Sequence, residues 1–193
     1  MNIIRKFHQK TLTEKRFITV SFIAFLICTA LGVLFHFSFD LLGEGMLAGA
    51  LFPVNESVGE HLKLSYLPYL LLIPIEFLFY GKKVNNFLFG KLLGVSSAII
   101  TVLSLYYTLN GAFGKMPDFV NIIIFVIATA TSYVIPYIFY KHNTEKSQAL
   151  QLIAIIGFLT LGAILICFSF YPPKIPLYLD PKGSGYGYYM IQK

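Results

Sequence analysis

An all-α integral membrane bundle of about five transmembrane helices is the fold class this sequence predicts, and three observations predict it. Of its 193 residues 56% are hydrophobic and only 12% are charged, where a soluble domain carries roughly 25% charge. Five apolar runs reach spanning length, and basic residues recur on alternate connections between them. With a mean hydropathy of +0.71, the chain has too little polar surface to cover itself in water, so its solvent is lipid. The net charge of +6 flanks the apolar runs instead of forming a face, which argues for membrane topology and against nucleic acid.

The runs are Phe17–Ser38, Leu62–Tyr80, Phe87–Leu109, Phe119–Tyr140 and Ala149–Tyr171, each close to the about 20 residues a spanning helix needs. The first is too long for a signal peptide and no small-x-small cleavage site follows it, so it reads as a retained anchor. Lysine and arginine divide ten to five between the two sides, which predicts a cell-membrane protein with its N-terminus cytoplasmic and its C-terminus extracytoplasmic. Asp40, Glu44, Glu56, Glu60, Asp118 and Asp180 all fall on the outer side. The chain thus divides into a basic cytoplasmic or interfacial segment (1–16), a transmembrane helical domain (17–171) and an extracytoplasmic Pro/Gly/Tyr-rich tail (172–193). Residues 2–16 read equally as a short interfacial helix or a solvated basic tail. Residues 45–52 are apolar but too short to cross, and suit a re-entrant or interfacial segment. Cys28 and Cys167 lie within apolar runs and read as packing residues.

At 100° per residue, polar side chains within the runs sort onto faces. Ser21, Cys28, Thr29, Gly32, His36 and Asp40 share one face of the first span. Gly90, Gly94, Ser97, Thr101, Ser104 and Thr108 recur along the third, and Asn121, Ala128, Ser132 and Pro136 along the fourth. Small and hydroxyl residues in such seams let helices approach closely. In the second span Ser57, His61, Ser65, Tyr69 and Glu76 form one stripe, which should face the bundle interior despite Pro68 and Pro74. An ionisable residue within a span is a functional candidate by default, although Glu76 also lies near enough to one end to pair with Lys82, Lys83 or Lys91.

The densest chemistry falls where the first span ends and the second begins. His36 and Asp40 are one helical turn apart. Asn55 suits an N-cap, with Glu56 favourable in the first turn, and on that reading Glu56, Glu60 and Lys63 share one face while Ser57 and His61 share another. His36, Asp40, Glu56, Glu60 and His61 are therefore the candidate ligands, with Asn55, Ser57, Lys63, Glu76 and Asp180 in support. These residue types build divalent-metal sites and acid/base pairs, although capping and local ion pairs account for half the set. The spacing matches neither Glu-x-x-His nor His-Glu-x-x-His. Co-ligation requires His36 to lie within about 10 Å of His61 or Glu60, given metal–ligand distances near 2 Å. The proline-interrupted tail from Tyr171 to Pro181 excludes helix; it suits either a lid over the cluster, adding Asp180, or an aromatic anchor at the headgroups.

The segment Phe52-Pro53-Val54-Asn55-Glu56-Ser57-Val58-Gly59-Glu60-His61-Leu62-Lys63, with Tyr106-Tyr107-Thr108-Leu109-Asn110-Gly111, Tyr171-Pro172-Pro173 and Asp180-Pro181, resembles a bacterial multi-pass membrane family catalogued as domain of unknown function 6512. Similar sequences carry tryptophan where this chain has Gly59, which argues against an aromatic beside the site. The resemblance implies a multi-pass membrane protein and supplies no activity. Two functions follow from the residues. One is a polytopic membrane component, transport- or envelope-associated, whose outer polar site binds an ion, a lipid headgroup or a partner, whether another membrane protein or a second copy. The alternative is an intramembrane metal-dependent hydrolase acting on a lipid or envelope substrate.

Overall fold

The computed structural model describes residues 2–142, 145–183 and 185–191, with side chains over residues 14–189 of these. Seven helices follow in order: α1 (Asn2–Leu41), α2 (Met46–Leu51), α3 (Val58–Phe79), α4 (Phe87–Phe113), α5 (Asp118–His142), α6 (Gln148–Phe170) and α7 (Gly187–Ile191). Five of them, α1 from Glu14 and α3 to α6 throughout, are long and apolar enough to cross a membrane. The protein is a polytopic membrane protein. The segment read as either a short interfacial helix or a solvated basic tail is the start of α1, which runs unbroken for 40 residues, about 60 Å at 1.5 Å per residue; the side chains of residues 2–13 lie outside the described ones.

α3 is the most enclosed span. Half of its apolar window is buried, against 22–33% in the other four, because α1, α4, α5 and α6 all pack on it. Ser57, Ser65, Tyr69 and Glu76 of its polar stripe are buried. Tyrosine hydroxyls tether it to its neighbours: Tyr66 donates to the Phe158 carbonyl at 2.7 Å and Tyr69 to the Ser132 carbonyl at 2.9 Å. The second bond has a clear origin. Pro136, four residues beyond Ser132 in α5, has no N–H to give that carbonyl, and in the apolar interior an unmatched carbonyl is costly. Tyr69 supplies the missing donor.

The most extensive helix pair is α4 with α5. Gly94 lies against the Ser132 carbonyl, the Tyr69 hydroxyl and Pro136, and Gly90 lies under the Tyr140 ring. Ser97 and Thr101 reach Thr131 across the seam at 3.4 Å each. Further along, Ser104, Thr108 and Asn121 turn outward. At the end of the bundle near residue 80, buried Asn86 joins two loops, donating to the Glu145 carbonyl at 2.7 Å and accepting from the Ser147 N–H at 2.8 Å.

The opposite end, here the distal face, carries α2 and the tail. α2 is only six residues long and cannot cross. Ala48 and Gly49 are buried while Met46 and Leu47 are exposed, so it lies across the bundle end. Residues after Tyr171 return over this face and form a strap. Tyr178 is buried against Gly59 and Phe168, and Tyr188 against Gly49, Phe39 and Phe170. A Leu179–Tyr186 bridge and an Asp180 N–H to Gly185 carbonyl bond of 2.9 Å close the turn between them.

Gly94→Ala places a methyl group against the Ser132 carbonyl and should lower stability by about 1–3 kcal/mol, the range for overpacking. Thermal unfolding in detergent micelles, compared with Gly111→Ala where no neighbour lies within reach, measures the difference.

Candidate functional site

The start of α3 sets the geometry of the distal face. The helix N-cap is Ser57, whose hydroxyl accepts from the Glu60 N–H at 3.4 Å. Asn55, expected as the cap, acts one step earlier: its side-chain oxygen accepts from the Ser57 N–H at 3.0 Å and shapes the turn that enters the helix. Ser57-x-x-Glu60 is the spacing of a capping box, a signal in the sequence that points to Ser57. Glu60 reaches back past the cap to accept from the Val54 N–H at 3.1 Å.

This shift of the helix start separates the two glutamates. Glu60 is inside the helix and fully buried, its Oε2 taking Lys63 at 2.9 Å and its Oε1 taking the Ser169 hydroxyl of α6 at 2.8 Å. Lys63 also donates to the carbonyls of Gly49 at 2.7 Å and Phe52 at 2.9 Å. The network is fully occupied and joins α2, α3 and α6. Glu56 precedes the helix, so it does not share the Glu60 and Lys63 face. Instead it turns toward α1.

There Glu56 meets the two histidines. His61 Nε2 is 3.4 Å from Glu56 Oε2, His36 Nε2 is 3.9 Å from Oε1, and the imidazole centroids are 5.0 Å apart. One ligand atom from each of the three residues falls within 4.8 Å of the others. The tautomer of His61 follows from its other nitrogen: Nδ1 lies 2.8 Å from the Ser57 carbonyl, which only accepts, so Nδ1 carries the proton. In the neutral ring Nε2 is then a lone pair aimed at a carboxylate. Two acceptors face each other, and the arrangement calls for a cation between them, either a proton or a metal.

Lys182 completes the group from the strap. Its ammonium reaches Glu56 Oε1 at 2.9 Å while its side chain stays exposed, and the contact raises the lysine above its ordinary range. With a proton on His61 Nε2, Glu56 is pulled down to about 2, chiefly by the hydrogen bond that nitrogen donates to it, with burial opposing and the Lys182 bond adding to the effect. Asp180 does not join the cluster; it is buried and accepts from the Lys182 N–H at 3.0 Å, holding the turn that presents the lysine. Asp40 is exposed on the next turn of α1. Glu76 is at the far end of α3, and of the lysines expected as its partner Lys91 is the one that pairs with it. Beside the site, Gly59 accommodates the Tyr178 ring, so an aromatic group does stand there, contributed by the strap instead of by α3.

A family model described as Family of unknown function (DUF6512) matches residues 6–188. The chain belongs to that family. No curated protein and no solved structure matches it.

The two glutamates should separate experimentally. Glu60→Gln leaves the Lys63 charge buried without its counter-ion and should cost about 3 kcal/mol or more. Glu56→Gln, at a half-exposed position, should cost less than about 1 kcal/mol. Because the Glu56 carboxyl is depressed from its ordinary 4.5 to about 2, its stabilising contribution is complete above 4.5 and disappears as the pH falls through about 2. Acid unfolding curves of wild type and Glu56→Gln should therefore converge at the acid end only.

Proposed function

We propose that this member of the family is a cell-membrane protein that binds a divalent transition metal, zinc by ligand type, through His36, Glu56 and His61 on its extracytoplasmic face. The observation that carries the reading is the His61 ring. Its Nδ1 is committed to a backbone carbonyl, the arrangement that orients metal-binding histidines, and its Nε2 lone pair points with His36 Nε2 at one carboxylate. Tetrahedral zinc with ligands at about 2.0–2.1 Å separates its donor atoms by roughly 3.4 Å, and small side-chain rotations bring the three donors to that spacing. Two imidazoles and a carboxylate suit zinc, iron, nickel or copper better than magnesium or calcium.

The orientation rests on the distribution of basic residues, which puts the distal face outside. On this reading the protein serves as a transport- or envelope-associated component that captures a metal at the outer surface. A second reading, metal-assisted hydrolysis of a lipid or envelope substrate, draws support from the number of donors: three protein ligands leave a fourth position for water or substrate, the pattern of catalytic zinc. Asp40, exposed one turn beyond His36, is then the carboxylate best placed by sequence to act as base.

Detergent-purified protein should carry about one zinc per chain, lost in His61→Ala and retained in His142→Ala; absence of bound metal after dialysis against zinc would sink the proposal. Binding should weaken on acidification, since histidine ligates only when neutral, whereas Glu56 stays ionised down to about 2. Lys182→Met removes the ammonium that competes for Glu56 and should tighten zinc binding by up to about fivefold, the worth of an exposed ion pair. An alkaline-phosphatase fusion after Tyr171 should be active, and an inactive fusion overturns the orientation.

A further inference from the structure

A second buried ion pair among the described residues lies inside the bundle, where α1, α3, α4 and α5 meet. Glu76 of α3 and Lys91 of α4 are both fully buried and in direct contact through Glu76 Oε1. The Tyr80 hydroxyl donates to the same oxygen at 2.6 Å. The other oxygen, Oε2, is equally buried and has no hydrogen-bond partner among the described residues. This asymmetry distinguishes the pair from Glu60–Lys63, in which both carboxylate oxygens are occupied. A bare carboxylate oxygen in an apolar interior is expensive, and a proton is the smallest group that removes the cost.

Protonating a buried glutamate ordinarily strands its lysine. Here the lysine has other support: its ammonium stands 4.9 Å from the centroid of Tyr69, 5.0 Å from Tyr133, 5.8 Å from Phe87 and 5.9 Å from Tyr80. Contacts of this kind attract a cation more strongly when it is desolvated. These rings give the cation partners other than the carboxylate beside it.

A cleft of about 420 Å³ opens between α1 and α5, lined by Phe17, Ser21, Phe25, Tyr133 and Tyr137 among others. Tyr133 is at once a wall of the cleft and a wall of the cage. Ser21, on the same wall, is 3.5 Å from the Tyr80 hydroxyl that bonds Glu76. The titratable groups facing the pair are Cys28 from α1, Tyr69 and Tyr80 from α3 and its end, and Tyr133 and Tyr140 from α5.

We propose that Glu76 and Lys91 form a proton-exchange site inside the bundle near the far end of α3, in which Glu76 Oε2 takes up one proton while the aromatic cage keeps Lys91 charged. The exchange changes the charge of the buried site by one and leaves every other bond intact. It is independent of the metal reading, since the pair sits at the other end of α3.

Infrared difference spectra of the full chain in detergent, recorded through an acid titration with isotope-labelled glutamate, test the proposal. A label-sensitive carbonyl stretch of a protonated buried carboxylic acid should appear in wild type and be lost in Glu76→Gln. In Lys91→Met, which removes the ammonium bonded to the carboxyl group, the band should shift in frequency. If Glu76→Gln fails to fold, Tyr80→Phe makes the same assignment: it removes the hydroxyl bonded to Glu76, and the band should shift in frequency. No such band in the range where the chain stays folded, or a band indifferent to Glu76→Gln and Tyr80→Phe, overturns the proposal.

Discussion

The interaction on which the distal face depends is the closed network of Glu60 and Lys63. It joins the turn at Val54, the carbonyl end of α2, the first turn of α3 and Ser169 of α6. Removing two charges from water is costly unless every donor and acceptor is matched, and here the matches come from three separate helices. Two consequences follow for the site. The entry to α3 is held rigidly, so His61 projects at a fixed angle. Glu60 is fully used in structure, so Glu56 alone is left to face the histidines.

Among the described residues α3 takes part in both buried ion pairs, carrying Glu60 and Lys63 near its start and Glu76 near its end. The pair near the helix start is saturated by backbone and hydroxyl partners. The pair near its end is surrounded by rings, which support the cation, while Tyr80 donates to one carboxylate oxygen and the other has no partner among the described residues. Backbone carbonyls and hydroxyls lock a charge state, whereas an aromatic cage leaves the carboxylate free to change its own. α3 thus has an inflexible end and a chemically adjustable one, and its two prolines lie between them.

Much of the architecture was legible because spanning helices are set by length and apolarity alone. The five apolar runs lie on the five long helices, and the seam of Gly90 and Gly94 does pack against α5. The start of α3 was harder. Asn55 is a good cap by residue type, and choosing it carried Glu56 into the helix and onto the face of Glu60; moving the cap to Ser57 reverses which glutamate meets the histidines. Lys182 was out of reach for a different reason. It lies 126 residues from Glu56, and its position depends on how the strap folds back, which residue types near Glu56 do not encode. Gly59 shows the same limit. As a sequence feature it read as a missing aromatic, while in three dimensions it is the space that Tyr178 fills.

That exchange of volume bears on how the molecule matures. The strap follows all five spans along the chain, and its docking surfaces, the clefts over Gly49 and Gly59, are built from α2, α3 and α6 together. Neither surface exists until the last span has settled against the first ones. Delivery of Lys182 to Glu56 is therefore a late event in biogenesis, one that a partly inserted chain cannot complete.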